Sequence, residues 1–188
     1  MAFDALQQVP RSSAEREFND QGHSTERDEP HRRESSMKLH LTAERLFEQL
    51  EQVWRDACAG RAMPRRGDIS PAKLKACLPY VTLIDVVQGD PIDFRYRLLG
   101  QKLIDGFGAN LTGELHTGHA DRSSPTWPFY DAYCRCVATQ MAQSLEHQFR
   151  NSNRTVVRMQ ARVWPLSDDG EKVTGLLGGG MFVEPAFL

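Results

Sequence analysis

Hydrophobic positions in residues 41–60 recur at intervals of three and four residues. They are Leu46, Leu50, Val53, Trp54 and Ala57. This spacing predicts an amphipathic helix of about four turns with one apolar stripe. Thr42 is suited to cap its start, and Gly60 is suited to a left-handed residue at its end.

The hydrophobic period changes along the next part of the chain. Ser70 followed by Pro71 predicts a second, short helix that stops before Pro79. From residue 80 onwards apolar residues alternate with polar ones, which predicts strands over 80–87 and 93–100. The second strand is expected to place Phe94, Tyr96 and Leu98 on one face and Arg95 and Arg97 on the other.

The remaining elements are short helical pieces over 101–116, a helix over about 126–141, and three strands. The strands are predicted over 144–150, 155–166 and 173–184, with turn-forming residues between them. Gly178, Gly179 and Gly180 fall within the last strand. No Lys-Ser or Lys-Thr pair follows them, so we interpret them as a site of close helix approach and not as a phosphate loop.

This order of elements predicts an α+β fold. We expect a five-stranded antiparallel sheet with helices on one face. The N-terminal helix then has to bury its stripe against the other face of the sheet or against a partner chain.

Residues 1–40 differ in composition from the rest of the chain. They contain eight acidic and six basic residues but five Val, Ile, Leu or Phe residues. Such a segment cannot bury enough apolar surface to offset the entropy of ordering. We therefore expect a disordered tail over 1–40, the helix over 41–60 and a compact domain over 61–188.

Charge and hydropathy exclude several classes of protein. The chain has 23 basic and 25 acidic residues, so it lacks a broad positive field for nucleic acid or an anionic membrane. A run of about 18 apolar residues and a signal peptide are both missing. Four scattered cysteines do not suggest a disulfide framework. We expect a cytoplasmic protein with neither nucleic-acid nor membrane partners.

Several segments carry a resemblance to a known family. They are PRRGDISPAKLKACLPYVTLIDVV at 64–87, DFRYRLLG at 93–100, FGANLTG at 107–113, WPLSDDG at 164–170 and LLGG at 176–179. Together they resemble the PAS-like domains of a bacterial family long catalogued as a domain of unknown function. The glycines at 100, 108 and 113 resemble the general PAS signature, from which Gln101 departs at a turn position.

The resemblance implies a sensory module that binds a small molecule between sheet and helices and signals through flanking helices or by dimerising. It leaves the cofactor unknown. The flavin-binding branch of PAS proteins uses a cysteine in an Asn-Cys-Arg type of motif that this chain lacks. With no kinase, cyclase or DNA-binding region recognisable, we expect a stand-alone regulator, a homodimer, that acts on a partner signalling protein.

The predicted inward faces suggest a ligand pocket. The eight residues predicted to line it are Tyr96, Leu98, Trp127, Tyr130, Tyr133, His147, Phe149 and Met159. Aromatic rings with polar edges suit a largely apolar pocket with a few orienting groups. A filled core is the alternative. The protein would then be a structural adaptor that dimerises through Leu46, Leu50, Val53 and Trp54.

Other reactive residue types suggest no further site. His116, His119 and His147 are candidate metal or haem ligands, but they lack helical ligand spacing, so we expect ordinary hydrogen-bonded histidines. The thiols of Cys134 and Cys136 would point about 200° apart on a helix, which prevents chelation. Recognisable catalytic motifs are missing, so we do not expect an enzyme.

Deleting residues 1–38 tests the prediction of a disordered tail. The melting temperature should change by less than about 2 °C, because an unpacked segment contributes little to the free energy of unfolding. Differential scanning calorimetry of the full and shortened chains measures this. A drop of many degrees would show that the tail packs on the domain.

Overall fold

The computed structural model describes residues 41–117 and 126–183. Its helices are α1 (Ala43–Cys58), α2 (Pro71–Leu74), α3 (Gln101–Phe107) and α4 (Trp127–Thr139), with 3₁₀ turns at Arg66–Asp68 and Leu78–Tyr80. Its strands are β1 (Val81–Val87), β2 (Asp93–Leu99), β3 (Gln143–Arg150), β4 (Val156–Leu166) and β5 (Gly175–Val183). The predicted tail over 1–40 and His119 lie outside the described residues.

The strands form one sheet in the order β2-β1-β5-β4-β3, and every neighbouring pair is antiparallel. This confirms the predicted α+β class and the five-stranded antiparallel sheet. The central strand β5 pairs with β1 on one side and with β4 on the other. The short connections between the last three strands match the predicted turns.

The N-terminal helix α1 begins and ends close to its predicted bounds. The Thr42 side chain accepts a hydrogen bond from the backbone N–H of Arg45 at 3.3 Å, which confirms the predicted cap. The left-handed residue that ends the helix is Ala59, with φ of 47°, and Gly60 follows with φ of 85°. The helix therefore ends one residue before the predicted glycine.

Two apolar clusters lie on opposite faces of the sheet. On the first face α3 and α4 bury side chains such as Leu103, Phe129 and Tyr133. On the second face α1 buries Leu46 and Leu50. Leu74 of α2 belongs to this second cluster, so α2 lies on the side of α1 and not with the later helices as expected.

The apolar stripe of α1 packs against the chain's own sheet. Leu46 and Leu50 are fully buried there, and the Trp54 indole N–H donates to the carbonyl of Pro165 at 2.7 Å. The expectation that Leu46, Leu50, Val53 and Trp54 serve as an interface with a second copy is therefore wrong for the two leucines. Their surface is already covered.

Glycine in β5 allows this close packing, as predicted for the glycine triplet. A β-carbon at Gly179 would collide with Cδ1 of Leu50 in α1, and one at Gly180 would collide with Cε of Met159 on the other face. Because the two glycines point to opposite faces, each face of β5 accepts a neighbour at short range.

Across residues 41–117 and 126–183, every helix is too short or too polar to cross a bilayer.

Replacing Gly179 with alanine should push α1 away from the sheet. We expect Gly179→Ala to lower the free energy of unfolding by about 1–3 kcal/mol, as overpacking of a filled core does. Gly67→Ala is the matched control, because a β-carbon there meets nothing within 4 Å. The control should change stability by less than about 0.5 kcal/mol. Equal urea midpoints for both variants would contradict the close approach of α1.

Candidate functional site

The candidate site is the interior between the sheet and the helices α3 and α4. Its side chains come from all five strands below and from the two helices above. Two groups of rings occupy this interior, and they differ in polarity. We call them the tyrosine–histidine group and the phenylalanine group.

The tyrosine–histidine group consists of Tyr96 on β2, His116 and the α4 residues Tyr130 and Tyr133. The His116 ring lies 5.7 Å from that of Tyr130 in a stacked arrangement and 5.5 Å from that of Tyr133 in an edge-on one. All four side chains are more than nine-tenths buried. Polar rings are thus concentrated at the end of the interior next to β2.

Local structure explains how these four rings meet. Tyr130 and Tyr133 are three residues apart on α4, so they share its inner face. Residues 113–116 run along the outer edge of β2, where the His116 N–H donates to the Phe94 carbonyl at 2.8 Å and the Tyr96 N–H to the Glu114 carbonyl at 3.1 Å. This segment, which is hydrogen-bonded to the edge of β2, holds His116 above the start of that strand.

Hydrogen bonds link the polar edges of the group. The Tyr96 hydroxyl lies 2.7 Å from Nδ1 of His116, and the Tyr130 hydroxyl donates to the Ile92 carbonyl at 2.6 Å. The Tyr133 hydroxyl lies close enough to that of Tyr96 for each to affect the pKa of the other. The polar atoms that the core encloses are therefore held in a fixed arrangement.

Burial keeps these phenols protonated. Desolvation raises the pKa of Tyr96 well above its usual value of 10, and the neighbouring Tyr133 adds to the rise. Desolvation also raises the pKa of Tyr133 to about 12, although its hydrogen bond with Tyr96 opposes the rise. Near neutral pH the group consequently offers O–H donors and carries no phenolate charge.

The phenylalanine group fills the other end of the interior. It consists of Phe107, Phe129, His147, Phe149 and Phe182. Phe107 and Phe182 meet edge-on at 5.3 Å, and His147 stacks on Phe149 at 6.0 Å with 9° between the ring planes. Apart from the half-buried His147, these residues have no polar atoms in the side chain, so this end of the interior suits apolar contacts.

The eight predicted pocket residues divide between these groups. Tyr96, Tyr130 and Tyr133 lie in the tyrosine–histidine group, with Trp127 stacked on Tyr130 at 4.7 Å. His147 and Phe149 lie in the phenylalanine group. Met159 is buried in the same interior.

Leu98 lies on the wrong face of the sheet for the predicted pocket. It packs with the α1 cluster, whereas Leu99 joins the interior below α4. The cause is a β-bulge: Ile84 pairs with Tyr96 and Leu83 pairs with Leu98, which leaves Arg97 as an extra residue in β2. The extra residue reverses the alternation, so a strict period of two assigns Leu98 to the wrong side.

Sequence reasoning missed several ring residues of the interior. These residues are Phe94, Phe107, Phe129 and His116. The strand pattern does predict that Phe94 lies on the inner face of β2, and the sequence offers His116 only as a candidate metal ligand. Phe129 shares the α4 face with Tyr133, so its helical spacing was the signal available. Phe107 enters through tertiary packing of α3, for which the sequence pattern gives no comparable signal.

The described part of the chain forms no metal-binding cluster. Among the described residues, no three histidine, cysteine, aspartate or glutamate side chains converge to hold an ion. Cys134 and Cys136 are free thiols on α4. Burial raises the pKa of Cys136 to about 12, so it remains a protonated, unreactive core thiol at neutral pH.

Comparison with protein families gives one match. A family model described as a PAS domain matches residues 43–178, which runs from α1 into β5. The matched region includes the tyrosine–histidine group, all of the phenylalanine group except Phe182, and the helix α1 on the opposite face. Among curated proteins, no sequence matches this chain.

Solved structures similar to this chain include light-oxygen-voltage (LOV) domains. The LOV protein of Rhodobacter sphaeroides is 10% identical, with 77% of this chain and 70% of that chain covered and a TM-score of 0.45. The LOV domain of a blue-light activated histidine kinase from Erythrobacter litoralis is 14% identical, with coverage of 56% and 97% and a TM-score of 0.44.

The raised pKa of Tyr133 predicts a loss of stability at high pH. Unfolding returns the phenol to its usual pKa of 10, so between pH 10 and about 12 the unfolded chain releases a proton that the folded chain keeps. The free energy of unfolding should therefore fall with pH in that window. Tyr133→Phe should reduce this slope by up to about 1.4 kcal/mol per pH unit.

Urea unfolding at a series of pH values measures the slope. Tyr80→Phe is the matched control, because it removes a phenol from outside the tyrosine–histidine group. Identical slopes for the two variants would show that the Tyr133 phenol is not held protonated by the fold.

Proposed function

This chain belongs to the PAS domain family, and we propose that it is a signalling sensor that binds a small ring-containing molecule between α4 and the sheet. The family supports a sensory role and not a catalytic one. The chemistry of the ligand follows from the interior side chains. The observation that carries the proposal is the buried, hydrogen-bonded tyrosine–histidine group.

Buried polar rings are an unusual way to fill a core. Each hydroxyl or ring nitrogen removed from water costs free energy unless it is hydrogen-bonded, and phenylalanine would fill the same space without that cost. Tyr96, His116 and Tyr133 nevertheless occupy the end of the interior next to β2, where Tyr133 contacts the apolar ring of Phe94. A few convergent polar groups among apolar walls are typical of small-molecule sites.

The same rings indicate which ligand fits. Tyr96 and Tyr133 stay protonated, so their hydroxyl groups can donate to a carbonyl or ring nitrogen of the ligand. The Tyr130 ring is stacked on Trp127 at 4.7 Å and meets Phe94 edge-on at 5.5 Å, so flat faces and ring edges are both present. A flat heteroaromatic molecule with a hydrogen-bond acceptor satisfies both requirements.

The sheet offers a route from this interior to α1. Met159 and Gly180 face the interior, whereas the neighbouring Gly179 faces Leu50 of α1. A ligand that favours one packing of the interior would shift β4 and β5 and thereby bias how α1 lies on the sheet. We propose that a partner protein, or a second copy of this chain, reads the position of α1.

Ligand capture by the full-length protein tests the proposal. Native mass spectrometry and absorbance of the purified protein would reveal a bound molecule, and thermal shift with one- and two-ring heteroaromatic carbonyl compounds would reveal binding. Tyr133→Phe should weaken the affinity about five- to tenfold, because a donated hydrogen bond is lost. Tyr80→Phe, the matched control, should bind as the unmodified protein does.

Two outcomes contradict the ligand proposal. One is a protein that carries no bound molecule and binds none of the compounds, and a dimer found in that state would favour the structural adaptor. The other is equal affinity in Tyr133→Phe and Tyr80→Phe, which would place the ligand away from the tyrosine–histidine group.

A further inference from the structure

The side of the sheet that faces α1 carries a second candidate site. A groove of about 470 Å³ lies there beside β1 and β2. We propose that it binds the carboxylate or phosphoryl group of a small organic anion. We call it the arginine groove, and its residues are Arg66, Asp85, Val86, Val87, Arg95, Arg97, Asp168 and Thr174. This proposal does not rest on the ligand proposed for the interior.

The bulge in β2 brings two of the arginines together. Asp85 on β1 pairs across the ladder with Arg95, and Arg97 is the extra residue of the bulge. Arg97 therefore turns to the same face, where its Nε lies 2.8 Å from a carboxylate oxygen of Asp85. Bulges often redirect a side chain in this way beside functional sites.

The third arginine comes from a fixed loop. Arg66 lies in the 3₁₀ turn and forms an ion pair with Asp85. It passes across Gly175, where a β-carbon would lie 3.2 Å from Nη2 of Arg66. The loop is tied to the sheet by the Ser167 N–H, which donates to the Pro64 carbonyl at 3.0 Å. Arg66 is thus positioned before any ligand arrives, which lowers the entropic cost of binding.

The groove has more positive than negative side chains, which favours the binding of an anion. Asp85 is shared by Arg66 and Arg97, and Asp168 accepts a hydrogen bond from the Thr174 hydroxyl at 3.0 Å. The Arg95 side chain makes no hydrogen bond or ion pair to any residue in the described ranges. Among the residues that the structure describes, three guanidinium groups therefore face two carboxylates in the groove, and Arg95 is the arginine without an ion pair.

The geometry of the groove favours an organic oxyanion. A planar guanidinium group donates two parallel N–H bonds, which match the spacing of oxygens on a carboxylate or phosphoryl group. The volume lies within the range of small-molecule sites. Val87 adds an apolar side chain to the lining, against which the carbon skeleton of such an anion would rest.

Titration of the full-length protein with succinate and with glycerol 3-phosphate tests this site. Calorimetry gives the affinity at constant ionic strength, and the arginine Nε–H signals in ¹⁵N NMR spectra give the location. We expect at least one probe to bind with a Kd of about 1 mM or tighter. Arg95→Gln should weaken that binding at least about fivefold, because a charge-assisted contact is lost.

Arg45→Gln is the matched control. It removes the same charge from an exposed position of α1, so it should change the affinity less than about twofold. Arg95 has no ion pair to lose, so the urea midpoint of Arg95→Gln should equal that of the control.

Each outcome decides the proposal. Binding of succinate alone identifies a carboxylate ligand, binding of glycerol 3-phosphate alone identifies a phosphoryl ligand, and binding of both supports a shared oxyanion site. The proposal is overturned if neither probe binds below about 10 mM, or if Arg95→Gln and Arg45→Gln bind the probes equally well.

Discussion

The central strand β5 has to accept close neighbours on both of its faces, and the rest of the structure depends on this constraint. Gly179 admits Leu50 of α1 on one side, and Gly180 admits Met159 on the other. Larger residues would separate the helices from the sheet, because packed interiors leave little free volume. The glycines therefore allow one thin sheet to support a buried interior on one face and a covering helix on the other.

Most of the fold could be predicted from the sequence because its signals are local. The 3.6-residue spacing of Leu46, Leu50 and Val53 defines α1, and the turn residues between the last three strands define their antiparallel order. The position of Leu98 could not be predicted in this way. It depends on the extra residue Arg97 in β2. That residue can be recognised only from the pairing of β2 with β1, and the sequence of β2 alone does not show this pairing.

The sequence predicts several of the rings that line the interior, but not their separation into two groups. Tyr130 and Tyr133 follow from the face of one helix, and Tyr96 from the face of one strand. Their separation from His147 and Phe149 depends on how α4 crosses the sheet. His116 depends on a short segment that pairs with the edge of β2. Contacts of this kind are set by tertiary packing, which a single strand or helix pattern does not encode.

The bulge at Arg97 connects the two faces of the protein. Tyr96 points into the interior and Arg97 points into the arginine groove, yet they are adjacent in one strand and share a peptide plane. The Leu98 carbonyl at the bulge accepts a hydrogen bond from the Thr82 hydroxyl at 2.9 Å, so the local geometry is held by a side chain as well as by the ladder. A rotation of β2 at this point moves Tyr96 and Arg97 together. One local backbone geometry thus sets the positions of two side chains that face opposite sides of the sheet.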